Sequence, residues 1–319
     1  MDASNIFDKY GKKILISEIQ WVCKEHQLGD FQRVIQVLGK TNTNILVETQ
    51  KGKYVLRYLT FPGSQKRIIY IEDTILCLKK AFLPVENAIP NKSGDCYSYI
   101  NSRMIQVYRF IEGVQFSFKP NQLISSGDML NQFHAALRSQ VQGPSPSYLN
   151  HPSEENLEKK MNDLYKKQKY ISNTSLSIIE SLYSSIIKQW EKENKDYLPR
   201  TIIHDDWHPW NQLYDKADRV ICILDLDGVQ QGLRIYDVAY SIYHIYKNAP
   251  RHFNKAYSKI FLNGYGALTN EEKTILPLVI AKVGLFFIIR SVKETEKELK
   301  DTEPVIQFLL SKEGKGLFL

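Results

Sequence analysis

The chain has 319 residues, of which 43% are hydrophobic and 24% charged, a composition typical of a soluble globular protein with one large domain or two modest ones. Its net charge of +7 is spread along the chain among acids at helical spacing, which favours solvated helix faces over a nucleic-acid surface. No apolar run approaches the roughly 18 residues of a membrane span, residues 1–5 lack the pattern of a secretory signal, and the four scattered cysteines suit free thiols. We therefore expect a cytoplasmic protein whose partners include neither nucleic acid nor membrane.

The first third of the chain predicts a small sheet between two helices. Apolar residues within 14–26 favour a leading helix, and residues 67–81 carry isoleucine and leucine at three- and four-residue spacing, which predicts a second helix. Three β-rich runs lie between them, over 31–38, 44–49 and 53–59, with Lys51-Gly52 as a tight turn. Residues 103–108 predict a further strand.

The remainder is predicted to be mostly helical. Helical patterns cover 122–137 and 176–190, and the Gly-Pro-Ser-Pro-Ser cluster at 143–147 separates them. Residues 275–289 are strongly apolar but include Pro277, Lys282 and Gly284. We interpret this segment as a buried helix.

The most informative motif reads His-Asp-Asp-Trp-His-Pro-Trp-Asn over residues 204–211, followed by the apolar run Ile223-Leu224-Asp225, which places Asp225 fourteen positions after Asn211. Phosphoryl transfer from ATP requires a carboxylate near the attacking hydroxyl, and an Asn and a second Asp to hold Mg²⁺. A loop followed by a strand can bring Asp206, Asn211 and Asp225 together. The spacing therefore indicates a kinase.

These residues resemble the catalytic loop of the aminoglycoside phosphotransferase and choline kinase superfamily, often written HGDxHxxN. The Ile-Leu-Asp-Leu-Asp run resembles its metal-binding strand, and residues 232–239 resemble its following Gly…Asp-Leu-Ala run. Asp205 stands where that family commonly has Gly. The resemblance implies an α+β, two-lobed protein-kinase-like fold, with a small antiparallel β-sheet lobe over 1–108 and a larger, mainly helical lobe over 109–319.

The resemblance also assigns roles within the motif. Asp206 is the expected catalytic base, and Asn211 and Asp225 are the expected ligands of Mg²⁺, with ATP (or GTP) as the phosphoryl donor. His204 is interpreted as a structural residue that bonds nearby backbone. Asp237 is expected to cap a helix or to hold the catalytic loop. Asp227, two positions after Asp225, supports the metal site or caps a turn.

In the N-terminal lobe, the resemblance implies nucleotide contacts at Gly39, Arg57, Glu72, Gln106 and Tyr108. Gly39 begins the loop expected to cover the nucleotide, although an ordinary hairpin turn would look the same. Arg57 replaces the family's strand lysine that meets the phosphates; the alternative is a surface arginine. Glu72, or the adjacent Asp73, is expected to orient Arg57. Backbone groups from Gln106 to Tyr108 are expected to face the adenine.

The acceptor is expected to be a small molecule with a hydroxyl group, cationic by resemblance to the family's usual substrates. One class is an antibiotic kinase used in resistance or self-protection; another is a housekeeping kinase for homoserine, choline or a sugar. A catalytically silent kinase-like binding protein is the third class, against which the retained motif argues. Acids such as Asp128, Glu154 and Asp163 are candidates to recognise an amine. Trp207 and Trp210 stack on the acceptor or pack in the core.

Overall fold

The computed structural model describes residues 6–39, 41–60, 64–146, 152–249, 254–266 and 268–318. They form two compact units. The first comprises the described residues up to Gly113 together with 143–146, and the second comprises 114–142 and the described residues from 152 onward. The units separate at residues 113 and 114, whereas the division at 108 and 109 into two functional lobes stays a prediction.

The first unit is built around a sheet. Its elements are β1 (Ile6–Phe7), β2 (Lys13–Ile14), α1 (Ile16–Glu25), β3 (Phe31–Leu38), β4 (Thr43–Thr49), β5 (Gly52–Tyr58), α2 (Gln65–Lys80), β6 (Ser98–Ile100) and β7 (Arg103–Arg109). Within the described residues, β3, β4, β5, β7 and β6 form a five-stranded sheet in that spatial order, with every pairing antiparallel. The predicted helices and strands are confirmed here with bounds shifted by one or two residues; β1, β2 and β6 were not predicted.

The two faces of this sheet have different roles because successive side chains of a strand point to opposite faces. Leu56 and Val107, which are paired across β5 and β7, belong to the apolar core that includes Ile19 and Val22 of α1. The next pair along, Arg57 and Gln106, therefore lies on the opposite face. That face also carries Leu59 and Met104, which pack with Ile68 of α2.

The second unit contains α3 (Pro120–Ala136), α4 (Glu154–Tyr165), α5 (Asn173–Lys192), β8 (Arg200–Ile203), β9 (Gln212–Tyr214), β10 (Val220–Ile223), β11 (Gln230–Leu233), α6 (Ile235–Asn248), α7 (Asn254–Tyr265), α8 (Asn270–Ile289), α9 (Thr295–Leu310) and α10 (Lys312–Lys315). Its strands form two antiparallel ribbons, β8 with β11 and β9 with β10. Residues 204–211 therefore connect the two ribbons, and Asp225 follows the end of β10. The α+β class predicted from the sequence is confirmed.

Helix α8 is buried along most of its length, as predicted for residues 275–289. Among the described helices, none is both long and apolar enough to cross a membrane. Lys282 is fully buried within α8, with its Nζ 3.6 Å from the ring centroid of Trp190 and 3.3 Å from the hydroxyl of Tyr236. Burial lowers the pKa of Lys282 from 10.5 to about 7, because the charged form loses its hydration.

We predict that Lys282→Met stabilises the protein. Below pH 7 the lysine is charged in both the folded and unfolded states and destabilises the fold, and this effect disappears as the pH rises from about 7 to 10.5. A linear apolar side chain should therefore raise the free energy of unfolding by about 1–4 kcal/mol at pH 6. Thermal melts at pH 6 and pH 10 would measure this gain, which should shrink at the higher pH.

Lys300→Met is the matched control, because Lys300 is exposed on α9. It should change the melting temperature little at either pH. A Lys282→Met variant less stable than the original protein at pH 6 would contradict the interpretation of Lys282 as a buried destabilising charge.

Candidate active site

Asp237, in the first turn of α6, holds the loop of residues 204–211 in place through hydrogen bonds to its backbone. Its carboxylate accepts the backbone N–H of His204 at 2.8 Å and that of Asp205 at 2.9 Å. It also accepts a hydrogen bond from Nε2 of His134 at 2.9 Å, and it is only 1% exposed. Of the two roles predicted for Asp237, the structure supports the one of holding the loop.

His204 connects the loop to the strand that precedes Asp225. Its Nε2 lies 3.0 Å from the carbonyl oxygen of Leu224, and the N–H of Leu224 donates to the carbonyl of Asn211 at 2.9 Å. These two bonds fix the end of β10 against the loop. The structural role predicted for His204 is confirmed.

Asp205, which had no explanation in the sequence, has a backbone φ of +65°. Glycine adopts this left-handed conformation without strain, and Asp tolerates it better than most residues. The family's usual glycine at this position is therefore understandable. The Asp205 side chain is buried and accepts a hydrogen bond from Nε2 of Gln230, on β11, at 2.8 Å. It thus connects the loop to the neighbouring ribbon.

Both carboxylate oxygens of Asp206 accept hydrogen bonds. Tyr240 of α6 donates its hydroxyl to Oδ1 at 2.7 Å, and Asn211 donates Nδ2 to Oδ2 at 3.1 Å. Nε2 of His208 lies 3.7 Å from Oδ1. Burial raises the pKa of Asp206 to about 6; the hydrogen bond from Tyr240 lowers it, and the negative charge of Asp225 raises it. Asn211 therefore contacts Asp206, and Asp225 lies within electrostatic range of it; the catalytic and metal-binding roles of the three residues stay predictions.

The residues beside Asp206 suit a magnesium ion bound together with phosphates. The amide nitrogen of Asn211 is engaged with Asp206, so the amide oxygen is the atom suited to a metal. Asp225, at a backbone φ of +60°, supplies a carboxylate whose charge acts on Asp206. In the part of the chain that the structure describes, no three His, Cys, Asp or Glu side chains converge to hold a metal. Magnesium commonly takes one or two protein ligands and completes its shell with phosphates and water. Asn211 and Asp225 fit this requirement.

In the first unit, Arg57 and Gln106 lie opposite each other on β5 and β7. Nε2 of Gln106 donates to Glu72 at 3.3 Å, and the backbone N–H of Ala88 donates to the same carboxylate at 3.2 Å. Burial raises the pKa of Glu72 to about 7. Asp73, in contrast, is exposed, so Glu72 is the acid that faces the sheet. The ion pair of Arg57 with either acid stays a prediction.

Gly39 and Tyr108 are the other predicted nucleotide contacts. Gly39 directly follows β3 with a φ of +100°, and its carbonyl accepts a hydrogen bond from Nζ of Lys9 at 2.7 Å. Tyr108 pairs with Val55, two positions from Gln106 on the same face of the sheet. Backbone contacts from this strand to an adenine stay a prediction, as does the loop over the nucleotide.

Comparison with known proteins identifies the family. The sequence matches the profile of the phosphotransferase enzyme family over residues 34–269. The chain belongs to this family. This result confirms the resemblance on which the predicted fold rested, and it makes the chain a small-molecule phosphotransferase that acts on hydroxyl groups.

Individual proteins of known name are similar at low identity. A homoserine kinase of Caulobacter vibrioides is 22% identical over 258 residues, which cover 79% of this chain and 78% of that protein. Among solved structures, a microcompartment-associated aminopropanol kinase has a TM-score of 0.70 at 15% identity, covering 95% of this chain and 100% of that chain. An amicoumacin kinase in complex with AMP-PNP, Ca²⁺ and Ami has a TM-score of 0.69 at 17% identity, covering 92% and 96%. These structures confirm the predicted kinase-like fold.

Several residues around the motif of this phosphotransferase were missed from the sequence. Tyr240 lies three positions after Asp237, so one helical turn carries both the residue that holds the loop and the residue that contacts Asp206. The next residue, Ser241, donates to the carbonyl of Trp207 at 2.8 Å. Trp207 is fully buried and therefore packs in the core. Trp210 packs edge-on against Phe116 at 5.0 Å between ring centroids.

We predict that Tyr240→Phe raises the pKa of Asp206 above its value of about 6, because the hydroxyl that stabilises the charged carboxylate is removed. The ring and its packing are retained. The measurement is an NMR titration of the carboxyl carbons of metal-free protein, with the Asp206 signal assigned by its loss in Asp206→Asn. An unchanged or lower pKa in Tyr240→Phe would contradict the hydrogen bond.

A second prediction concerns the backbone at Asp205. Asp205→Gly should retain turnover within about threefold, because glycine adopts the same φ, and should lose about 1 kcal/mol of stability with the Gln230 hydrogen bond. Asp205→Val places a β-branched residue in the left-handed region and should cost about 1–3 kcal/mol more through strain. Thermal melts and turnover measurements of the two variants test whether Asp205→Val is less stable than Asp205→Gly. Equal stability of both would mean that the backbone conformation is not a constraint.

Proposed function

We propose that this phosphotransferase transfers the γ-phosphoryl group of ATP to a hydroxyl group of a small, amine-bearing molecule. The observation that carries the proposal is the environment of Asp206, whose carboxylate is oriented by Tyr240 and Asn211 and is affected by the charge of Asp225. A binding protein without catalytic activity would need none of this chemistry. The family membership supports the same reaction class.

In the proposed reaction, Asp206 is the base. It accepts the proton of the acceptor hydroxyl while that oxygen attacks the γ-phosphorus and the bond to the β-phosphate oxygen breaks. A pKa of about 6 keeps Asp206 largely ionised at neutral pH while it retains useful basicity. The hydrogen bonds from Tyr240 and Asn211 fix the carboxylate in place, so little rearrangement is required when the acceptor arrives.

Asn211 and Asp225 would hold Mg²⁺, which when bound neutralises charge on the triphosphate. In the first unit, Arg57 lies on the same face of the sheet as Gln106, which bonds to Glu72. We propose that the Arg57 guanidinium pairs with phosphate oxygens, a task for which its planar fork is suited. Gly39 and the backbone near Gln106 and Tyr108 would complete the nucleotide contacts.

Two acceptor classes have support. The similarity to a homoserine kinase extends over about four fifths of both proteins, which supports a housekeeping kinase for a small metabolite. The structural similarity to an amicoumacin kinase supports an antibiotic as the acceptor. Both classes use the same reaction. We propose a cytoplasmic location for either one, where ATP is available.

The test is Mg²⁺-dependent nucleotide turnover against a panel of amino alcohols, hydroxy amino acids, sugars and hydroxyl-bearing antibiotics. One acceptor should stimulate turnover, and Asp206→Asn should reduce kcat by at least about 100-fold, since general-base catalysis commonly contributes 10²–10⁴. Asn has nearly the shape of Asp, so the fold should be retained.

Asp196→Asn provides a matched control, because Asp196 is exposed in a turn before β8. It should leave kcat unchanged. Acceptor-stimulated turnover that survives in Asp206→Asn at the original rate would refute the assignment of Asp206 as the base. Absence of both nucleotide binding and turnover in the original protein would refute the proposed function itself.

A further inference from the structure

A wall of aromatic and imidazole rings extends from Asp206 along α6 and α8. Tyr240, which bonds to Asp206, lies 4.7 Å from the ring of His244 and 5.6 Å from that of Phe287. His208 closes the group, with its ring 5.1 Å from that of His244. These four side chains form what we call the ring wall. It begins at the proposed base.

Arg290 follows the last residue of α8 and lies next to the ring wall. Its guanidinium carbon is 4.4 Å from the centroid of Phe287. Burial raises the pKa of Tyr240 and lowers that of His244, and the positive charge of Arg290 is a further cause that lowers both. Its side chain is 40% exposed. The Arg290 side chain is therefore partly accessible to solvent, and Phe287 lies close to both Arg290 and Tyr240.

Two polar groups at the ring wall have hydrogen-bonding capacity that the described residues do not use. Nε2 of His244 is buried and makes no hydrogen bond within the described residues. An unsatisfied buried ring nitrogen is costly and calls for a partner. Arg290 makes no hydrogen bond to any described residue, and its ion-pair contact with Glu294 is long, at 3.8 Å. Five guanidinium donors are thus available for a planar anion.

We propose that Arg290 binds a carboxylate of the acceptor, so that the substrate is a hydroxy acid, with a hydroxy-α-amino acid as the best fit. This inference rests on the proposed function, since it places the acceptor hydroxyl at Asp206. Arginine pairs with a carboxylate through two parallel hydrogen bonds. Glu294, one turn after Arg290, would then lie near the ammonium group of such a zwitterion.

A plain alternative is that Arg290 only complements the negative end of the α8 dipole. That role alone predicts that replacing Arg290 has the same effect on acceptors with and without a carboxylate. The acids suggested from the sequence as amine ligands are weaker candidates for the acceptor site. Asp128 bonds to Gln132, Glu154 to Trp190, and Asp163 pairs with Lys166.

The experiment compares L-homoserine with 3-aminopropan-1-ol, which has the same hydroxyl and amine but no carboxylate. The original enzyme should use L-homoserine with the higher kcat/KM. Arg290→Gln should lower kcat/KM for L-homoserine by about 10- to 150-fold, mainly through KM, since hydrogen bonds to a charged group are worth about 1.5–3 kcal/mol. The same substitution should leave kcat/KM for 3-aminopropan-1-ol unchanged.

Arg219→Gln is the matched control, because Arg219 also forms an i,i+4 ion pair, with Asp215, but is 77% exposed. Arg219→Gln should leave kcat/KM unchanged for both acceptors. The inference is wrong if amino alcohols or aminoglycosides without a carboxylate have a kcat/KM equal to or above that of L-homoserine. It is also wrong if Arg290→Gln lowers kcat/KM equally for both acceptors. The proposed function stands in either case. Absence of turnover with every acceptor would reject the proposed function, and this inference with it.

Discussion

The carboxylate of Asp237 is buried beneath residues 204–211 and accepts two successive backbone N–H groups of that loop. A loop with left-handed residues cannot satisfy its own backbone donors as a helix does, and an unpaired buried donor costs about 1–3 kcal/mol. Asp237 compensates for that cost at His204 and Asp205. The position of Asp206 depends on this bond pair, because Asp206 is the next residue along the chain.

The same helix that supplies Asp237 supplies Tyr240, and this coupling explains how the pKa of Asp206 is set. Burial disfavours the charged carboxylate and is the largest cause of its raised pKa of about 6. The hydroxyl of Tyr240 and the amide of Asn211 both favour the charged form. The nearby Asp225 opposes them, so a cation bound there would further favour the ionised base.

The sequence was sufficient where chemistry depends on short-range spacing. The separation of Asp206, Asn211 and Asp225 predicted their meeting, because a loop between two strands has few ways to place them. The sheet of the first unit followed from β-rich runs and from the tight turn at Lys51-Gly52. Contacts between distant segments left no such signal: the bonds from Gln230 to Asp205 and from Tyr240 to Asp206 span 25 and 34 positions. Nothing in a single sequence shows that a tyrosine in a helix donates a hydrogen bond to a distant loop.

Asp205 shows that the role of a residue can differ from the one that its position in the sequence suggests. A second carboxylate beside the base could have been read as a catalytic group, yet its position follows from backbone conformation and one buried hydrogen bond. The opposite holds for Arg290, which looks like an ordinary helix-end cation in the sequence. Its contact with Phe287 places a positive charge beside the ring wall. On the proposed role of Arg290, this charge repels a cationic acceptor unless the acceptor also carries an anion, and a zwitterion is then favoured over a polycation.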